Sequence, residues 1–300
     1  MRALVIGGDS VVGAALVRAL TQRGDTVYAT TRRRNTVNGD SLHLDLADDG
    51  IETVPLPVTD IAFFCAAVSG FAVCRNDPVL ARRVNVEGTG KLARRLTRQG
   101  VYSVLLSSTA VFDFQRPRVP ADAPLRPLTM LGQIKAEAER TFLALGQAAS
   151  VLRLTKVVTP DAPLFAEWIA ALRRHSSISA YSDLHIAPIS LADATRAMFA
   201  VAGDRGSGIY QVSGASDISY LDVARHLAKM MGVPPGRIRS KLAVENGIPA
   251  SEVPRFTTLE SSRIEALTGC GAPDPYDLIE TIFEPQIESF DAIEASSGGS

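Results

Sequence analysis

The sequence predicts an α/β fold: a doubly wound parallel sheet with helices on both faces, followed by a smaller C-terminal α/β lobe. Three observations carry this. Short apolar runs alternate with segments of helical spacing through the first half of the chain. Residues 61–66, IAFFCA, are apolar throughout, as a strand buried on both faces must be. A glycine-rich turn, GGDSVVG, follows the first apolar run at once and opens the first helical segment.

The elements follow in order. Residues 3–6 form a first strand, and 12–22 a helix with Val12, Leu16, Ala19 and Leu20 on one face. Residues 26–30 are β-branched and aromatic, a second strand. Residues 42–44 are a short apolar step with His43 in a strand, and 61–66 are the central strand. Residues 78–98 repeat Leu80, Val84, Leu92 and Leu96 at helical intervals. A strand over 102–107, a helix over 129–145 and a strand over 151–154 complete the alternation. Beyond about residue 157 the rhythm loosens. Helices are expected over 163–174, 193–201 and 220–231, the last with Ser219 as its N-cap. Strands are expected over 186–189 and 209–212. The expected organisation is a dinucleotide-binding domain over 1–157 with returns to the sheet at about 184–212. A substrate lobe takes 158–183 and 213–294, and ASSGGS, 295–300, is a flexible tail. There is no internal repeat.

Composition excludes several classes. With 31 basic and 32 acidic residues the net charge is -1, which offers no electrostatic footprint for nucleic acid or an anionic membrane. A hydrophobic fraction of 46% argues against disorder. No apolar run reaches the ~18 residues of a membrane span, and the opening apolar stretch is too short for a signal peptide. Three cysteines, Cys65, Cys74 and Cys270, match neither a disulfide framework nor a metal pattern, so a reducing cytoplasm and no metal are expected. Cys65, inside an apolar run, reads first as a small buried hydrophobe. No Ser nucleophile elbow is present.

The turn Gly7-Gly8-Asp9-Ser10-Val11-Val12-Gly13 lies between a strand and a helix, where glycines let a phosphate approach the backbone and the first helical amides attract it. The second strand ends in Thr31-Arg32-Arg33-Arg34 with no acid to hold ribose hydroxyls. Guanidinium groups there suit a 2′-phosphate, which favours NADP over NAD; Arg32 is the first contact, Arg33 the next, and Arg34 is exposed. Asp45, with Leu46 beside it, stands where the adenine edge would lie. Cys65, Ala66 and Ala67 close the central strand with small residues that let a cofactor lie against the backbone. Arg153 and Lys156 flank a strand end at the carboxyl edge of the sheet, where such folds place ligands. Arg173, Arg174 and Arg255 fall in the substrate lobe. His175 and His226 are expected to be exposed, while His185 falls in a substrate loop.

Taken together, VIGGDSVVG, RVNVEGTGKLARRL around Asn85, LLSSTAVFD, PLTMLGQIKAEAE, VLRLTKVV and HIAPISLADATRAM resemble an extended short-chain dehydrogenase/reductase. The likeness is to the sugar-nucleotide group of dTDP-4-dehydrorhamnose reductases and NAD-dependent epimerases and dehydratases. It covers most of the chain and implies a Rossmann domain. It also implies a Ser or Thr that binds the substrate oxygen, a Tyr acid–base, and a Lys that lowers the Tyr pKa and binds the nicotinamide ribose. The hydroxyl matches Ser108 and the lysine Lys135. Four residues before Lys135, one helical turn back, the Tyr position holds Leu131, which can neither give nor take a proton. Tyr181 could face the pocket in its stead. Asn85 is expected to tie strand ends near the cofactor, and a homodimer is implied by the helices over 78–98 and 129–145. Two functions remain open. One is an NADP-dependent oxidoreductase or epimerase on a carbonyl or nucleotide-sugar substrate, with a non-standard active site. The other is a non-catalytic NADP-binding sensor or scaffold.

Overall fold

The computed structural model describes residues 1–37 and 41–297. The first apolar run becomes β1 (Arg2–Ile6), buried from Ala3 to Ile6. The chain turns into α1 (Val11–Gln22), capped by the Ser10 hydroxyl, which accepts from the Gly13 amide at 3.1 Å. Next come β2 (Thr26–Thr31), β3 (Ser41–His43) and β4 (Ile61–Phe64), the last buried at every position. Two short helices, α2 (Phe71–Asn76) and α3 (Pro78–Arg82), a π turn (Arg83–Gly88) and α4 (Thr89–Arg98) lead to β5 (Tyr102–Ser108). Thr129 caps α5 (Met130–Leu143), and β6 (Ala149–Leu154) follows.

The remainder runs β7 (Lys156–Val157), α6 (Pro163–Arg173), β8 (Ile178–Tyr181), β9 (His185–Ile186), β10 (Pro188–Ile189), α7 (Leu191–Asp204) and β11 (Gly208–Val212). It ends β12 (Ile218–Ser219), α8 (Tyr220–Met230), β13 (Ile238–Lys241), α9 (Ser262–Thr268) and α10 (Pro275–Ser297).

The main sheet has seven strands in the order β11-β6-β5-β4-β1-β2-β3, and every pairing in it is parallel. Strand order reverses between β1 and β4, the switch point at which such sheets open a crevice at their carboxyl edge. One apolar cluster packs α1 and α7 on one face, around Leu16, Leu20 and Met198. A second covers the other face with Leu92, Leu96 and Phe142 of α4 and α5. A third lies off the sheet, where Phe165, Trp168, Leu227 and Phe283 join α6, α8 and α10. Among the described residues no helix is long and apolar enough to cross a membrane.

Four local departures from the sequence reading have physical causes. The helix expected over 78–98 runs the whole length but widens into a π turn at Arg83–Gly88, whose Asn85 side-chain amide grips Val68: Nδ2 donates to the Val68 carbonyl and Oδ1 accepts from its amide, both at 2.8 Å. Asn85 thus ties a helix to the loop after β4, rather than two strand ends. The strand expected over 186–189 divides at Ala187. β9 pairs antiparallel with β12, and β10 pairs parallel with β7, so one extended segment serves two small sheets. The central strand stops at Phe64, and the Cys65 and Ala66 amides both turn onto the Ile6 carbonyl. Of the expected tail, 295–297 continue α10, while 298–300 lie outside the described residues.

Candidate active site

The crevice is built by backbone geometry first. Gly7 has φ +81°, and a Cβ there would stand 2.6 Å from Ala66; one on Gly13 would stand 2.1 Å from the Gly7 carbonyl oxygen. Only glycine allows the turn to press α1 and the β4 loop together. The Ser10 hydroxyl donates to the Gly7 carbonyl at 2.8 Å while capping α1, so it closes the turn. The result is a groove of about 400 Å³, walled by Gly7, Asp9, Ser10, Arg32, Arg33, Asp45, Leu46, Ala66 and Ala67.

Other expected groove residues underlie it instead. Gly8 sits against Ala29, and Val12 packs into the core beside α1's buried face. Val11 is 61% exposed. Cys65 packs on the core, where burial pushes its thiol up to about 12, as an inert small hydrophobe would be. The basic turn after β2 is organised by Thr31, whose hydroxyl donates to Asp9 at 3.0 Å and accepts from the Arg33 amide at 3.0 Å. Arg33 lies 3.7 Å from the Asp9 carboxylate, whereas Arg32 makes no ion pair among the described residues. Asp45 accepts from the Ala47 amide at 2.9 Å, which holds its carboxylate at the groove.

A second cavity, about 670 Å³ and mostly apolar, adjoins the groove, and Val73 lines both. Ser108, Leu131, Lys156, His185 and Tyr220 stand on its wall, with the turn Gly247-Ile248-Pro249 across from them. The Ser108 hydroxyl oxygen accepts from the Ala110 amide at 3.2 Å, which leaves its O–H to donate. Lys135 is half-buried and lines neither the groove nor the cavity; its Nζ donates to the Leu106 carbonyl of β5 at 2.8 Å, and burial lowers the pKa of its ammonium. One turn before it, Leu131 presents an alkyl group to the cavity.

Several expectations are corrected here. Arg153 is 1% exposed and is not at a ligand site. It forms a two-pronged pair with buried Glu139 at 3.0 and 2.7 Å, and donates to the Ala121 carbonyl and the Gln211 side chain. His226 is mostly covered, 3.1 Å from a Glu280 oxygen and beside the Tyr276 ring. Tyr181 faces Lys241, which sits 4.4 Å over its ring, and does not line the cavity. Arg173 donates to the Gln286 carbonyl, and neither it, Arg174 nor Arg255 lines the cavity. Two features escaped the sequence reading. Tyr220 reaches the cavity through the long-range pairing of β12 with β9. Arg75 of α2 and Glu252 form an ion pair across the cavity rim. Neither feature leaves a signal in local spacing, because the partners lie far apart in the chain.

Comparison with known proteins gives one family: a model described as the RmlD substrate binding domain matches residues 1–284. A probable low-salt glycan biosynthesis reductase, Agl14, of Haloferax volcanii is 24% identical, over 91% of this chain and 94% of its own. A dTDP-4-dehydrorhamnose reductase of Mycolicibacterium smegmatis is 25% identical, over 87% of this chain and 79% of its own. Among solved structures, MoeE5 in complex with UDP-glucose and NAD superposes with a TM-score of 0.80 at 25% identity, covering 97% of this chain and 100% of its own.

Proposed function

Because the chain belongs to the RmlD substrate binding domain family, we propose that it is a nicotinamide-dependent oxidoreductase acting on a carbonyl of a sugar-nucleotide-like substrate, with NADP as its preferred cofactor. The observation that carries this is the shared wall at Val73: a glycine-walled groove lies beside an apolar cavity that has Ser108 on its wall. Two relatives named as reductases and one bound to UDP-glucose and NAD support the reaction class and the substrate chemistry.

The donor set of the groove fits a dinucleotide. The first amides of α1, apart from that of Gly13, which the Ser10 hydroxyl holds, have no intrahelical acceptor and suit a pyrophosphate. Arg32, which has no carboxylate partner among the described residues, suits a 2′-phosphate, while Arg33 is shared with Asp9. Lys135 has three N–H groups, of which one holds the Leu106 carbonyl and two remain for ribose hydroxyls. Ser108 orients the substrate oxygen through its free O–H, and the apolar wall around Leu131 excludes water from it. When bound, a reduced nicotinamide supplies the hydride. The lobe built on the third apolar cluster would hold the nucleotide end of the substrate. Two copies of the chain would associate through α4 and α5, and the protein would act in a reducing cytoplasm.

The test is consumption of NADPH in the presence of a panel of nucleotide-sugar ketones; a saturable rate is the expected result. Leu131 favours one second reading, a non-catalytic NADP-binding subunit. That reading expects tight NADPH binding and no turnover with any substrate.

A further inference from the structure

Leu131 leaves the cavity without the phenol that the family places on α5, so the proton that a reduced carbonyl oxygen needs must come from another group. The wall offers few. Tyr220 is a poor donor near neutrality, because burial pushes its phenol up to about 12. Arg75 from α2 is taken up in its ion pair with Glu252. His185 from β9 and Lys156 from β7 remain.

The strand register places Lys156. Ser108 at the end of β5 is the direct partner of Leu154 at the end of β6. Lys156 lies two residues beyond Leu154, about 7 Å along an extended chain, and all three line the same cavity. A flexible four-carbon stem lets the ammonium swing back toward an oxygen held by Ser108. No carboxylate pairs with Lys156 among the described residues, and the cavity wall lowers the pKa of its ammonium. His185 is anchored differently: its backbone amide donates to the Pro254 carbonyl, and its ring Nδ1 is buried.

Resting on the oxidoreductase reading above, we propose that Lys156 is a catalytic residue whose Nζ ammonium protonates the substrate oxygen held by Ser108. The step balances as follows. A reduced nicotinamide held along the groove would supply the hydride for the new C–H bond, and the carbonyl π pair would move to oxygen. One Lys156 N–H bond breaks and its proton makes the hydroxyl. The neutral amine left behind regains a proton from solvent, which reaches the exposed Lys156 side chain. The charged and titratable groups that face it are Arg75, Glu252, His185 and Tyr220.

Two variants and two readouts test this. Lys156→Met and Lys156→Arg should each lower kcat by roughly a hundredfold or more, the usual worth of a positioned acid. NADPH affinity should stay at the wild-type value in both. Arginine keeps the charge but cannot release a proton, so equal losses in the two variants identify proton transfer. Because the acid must be protonated, wild-type kcat/KM should fall as pH rises through the Lys156 pKa, and this basic limb should vanish in Lys156→Arg. Independently of turnover, NMR titration of ¹³C-methylated lysines, with Lys156 assigned through Lys156→Arg, should show it titrating below the ordinary value of about 10.4. A Lys156→Arg variant with wild-type kcat, or a Lys156 that titrates at or above the ordinary value, overturns the proposal and leaves the oxidoreductase reading standing. A wild-type protein that binds NADPH and reduces nothing overturns both.

Discussion

Arg32 and Arg153 show how one residue type takes opposite roles. Both were legible as basic residues at the carboxyl edge of a parallel sheet. Arg32 lies on the groove with no carboxylate partner among the described residues. Arg153 is swallowed by the core, where Glu139 neutralises it and Phe112 covers its guanidinium face. Local sequence cannot separate them, because the acid that claims Arg153 comes from α5, the neighbouring helix. Arg32→Ala should therefore weaken NADPH binding by roughly ten- to a hundredfold, the worth of one or two charge-assisted hydrogen bonds. NADH binding should be unchanged, and fluorescence titration of both cofactors reads the difference. Glu139→Gln should destabilise the fold by about 3–5 kcal/mol, since it strands the buried charge of Arg153. Urea unfolding measures that loss.

Elements whose signals are local were the legible ones. α1, α5 and α8 appear close to where apolar spacing and a capping residue placed them. Ser219 caps α8 as expected and adds a reciprocal bond with Asp222: the Ser219 hydroxyl accepts from the Asp222 amide at 3.0 Å and donates to its carboxylate at 2.6 Å. Ser219→Ala should cost about 1 kcal/mol, read as a lowered midpoint in thermal unfolding. Elements decided by distant partners were not legible. The π turn exists because Asn85 reaches Val68, and the break at Ala187 exists because β7 and β12 draw the segment in two directions. α2, α9 and α10 were also missed. Phe71–Asn76 is too short to establish a period, and α10 carries Pro285, a residue that reads as a helix breaker.

Across the whole molecule, the parallel sheet supplies a switch point, and the groove forms beyond the carboxyl ends of the adjacent strands β1 and β4, between the segments that follow them. The third apolar cluster supports the far wall of the adjoining cavity through α8, whose Tyr220 lines it. The Arg75–Glu252 pair links α2 beside the sheet to the turn that borders the cavity. The nucleotide half of the site was readable from glycines and arginines close together in sequence. The substrate half was not, because its wall is gathered from segments between residues 70 and 257. Leu131→Tyr, which puts a phenol where the resemblance expects one, should raise the rate of the proposed reduction, with the gain read as kcat on the same substrate. The most direct measurement of the central claim is label transfer: NADPH deuterated at the transferable position, incubated with the protein and a nucleotide-sugar ketone. Deuterium on the carbinol carbon of the product is the predicted result. A product free of label, with NADPH still tightly bound, would contradict it.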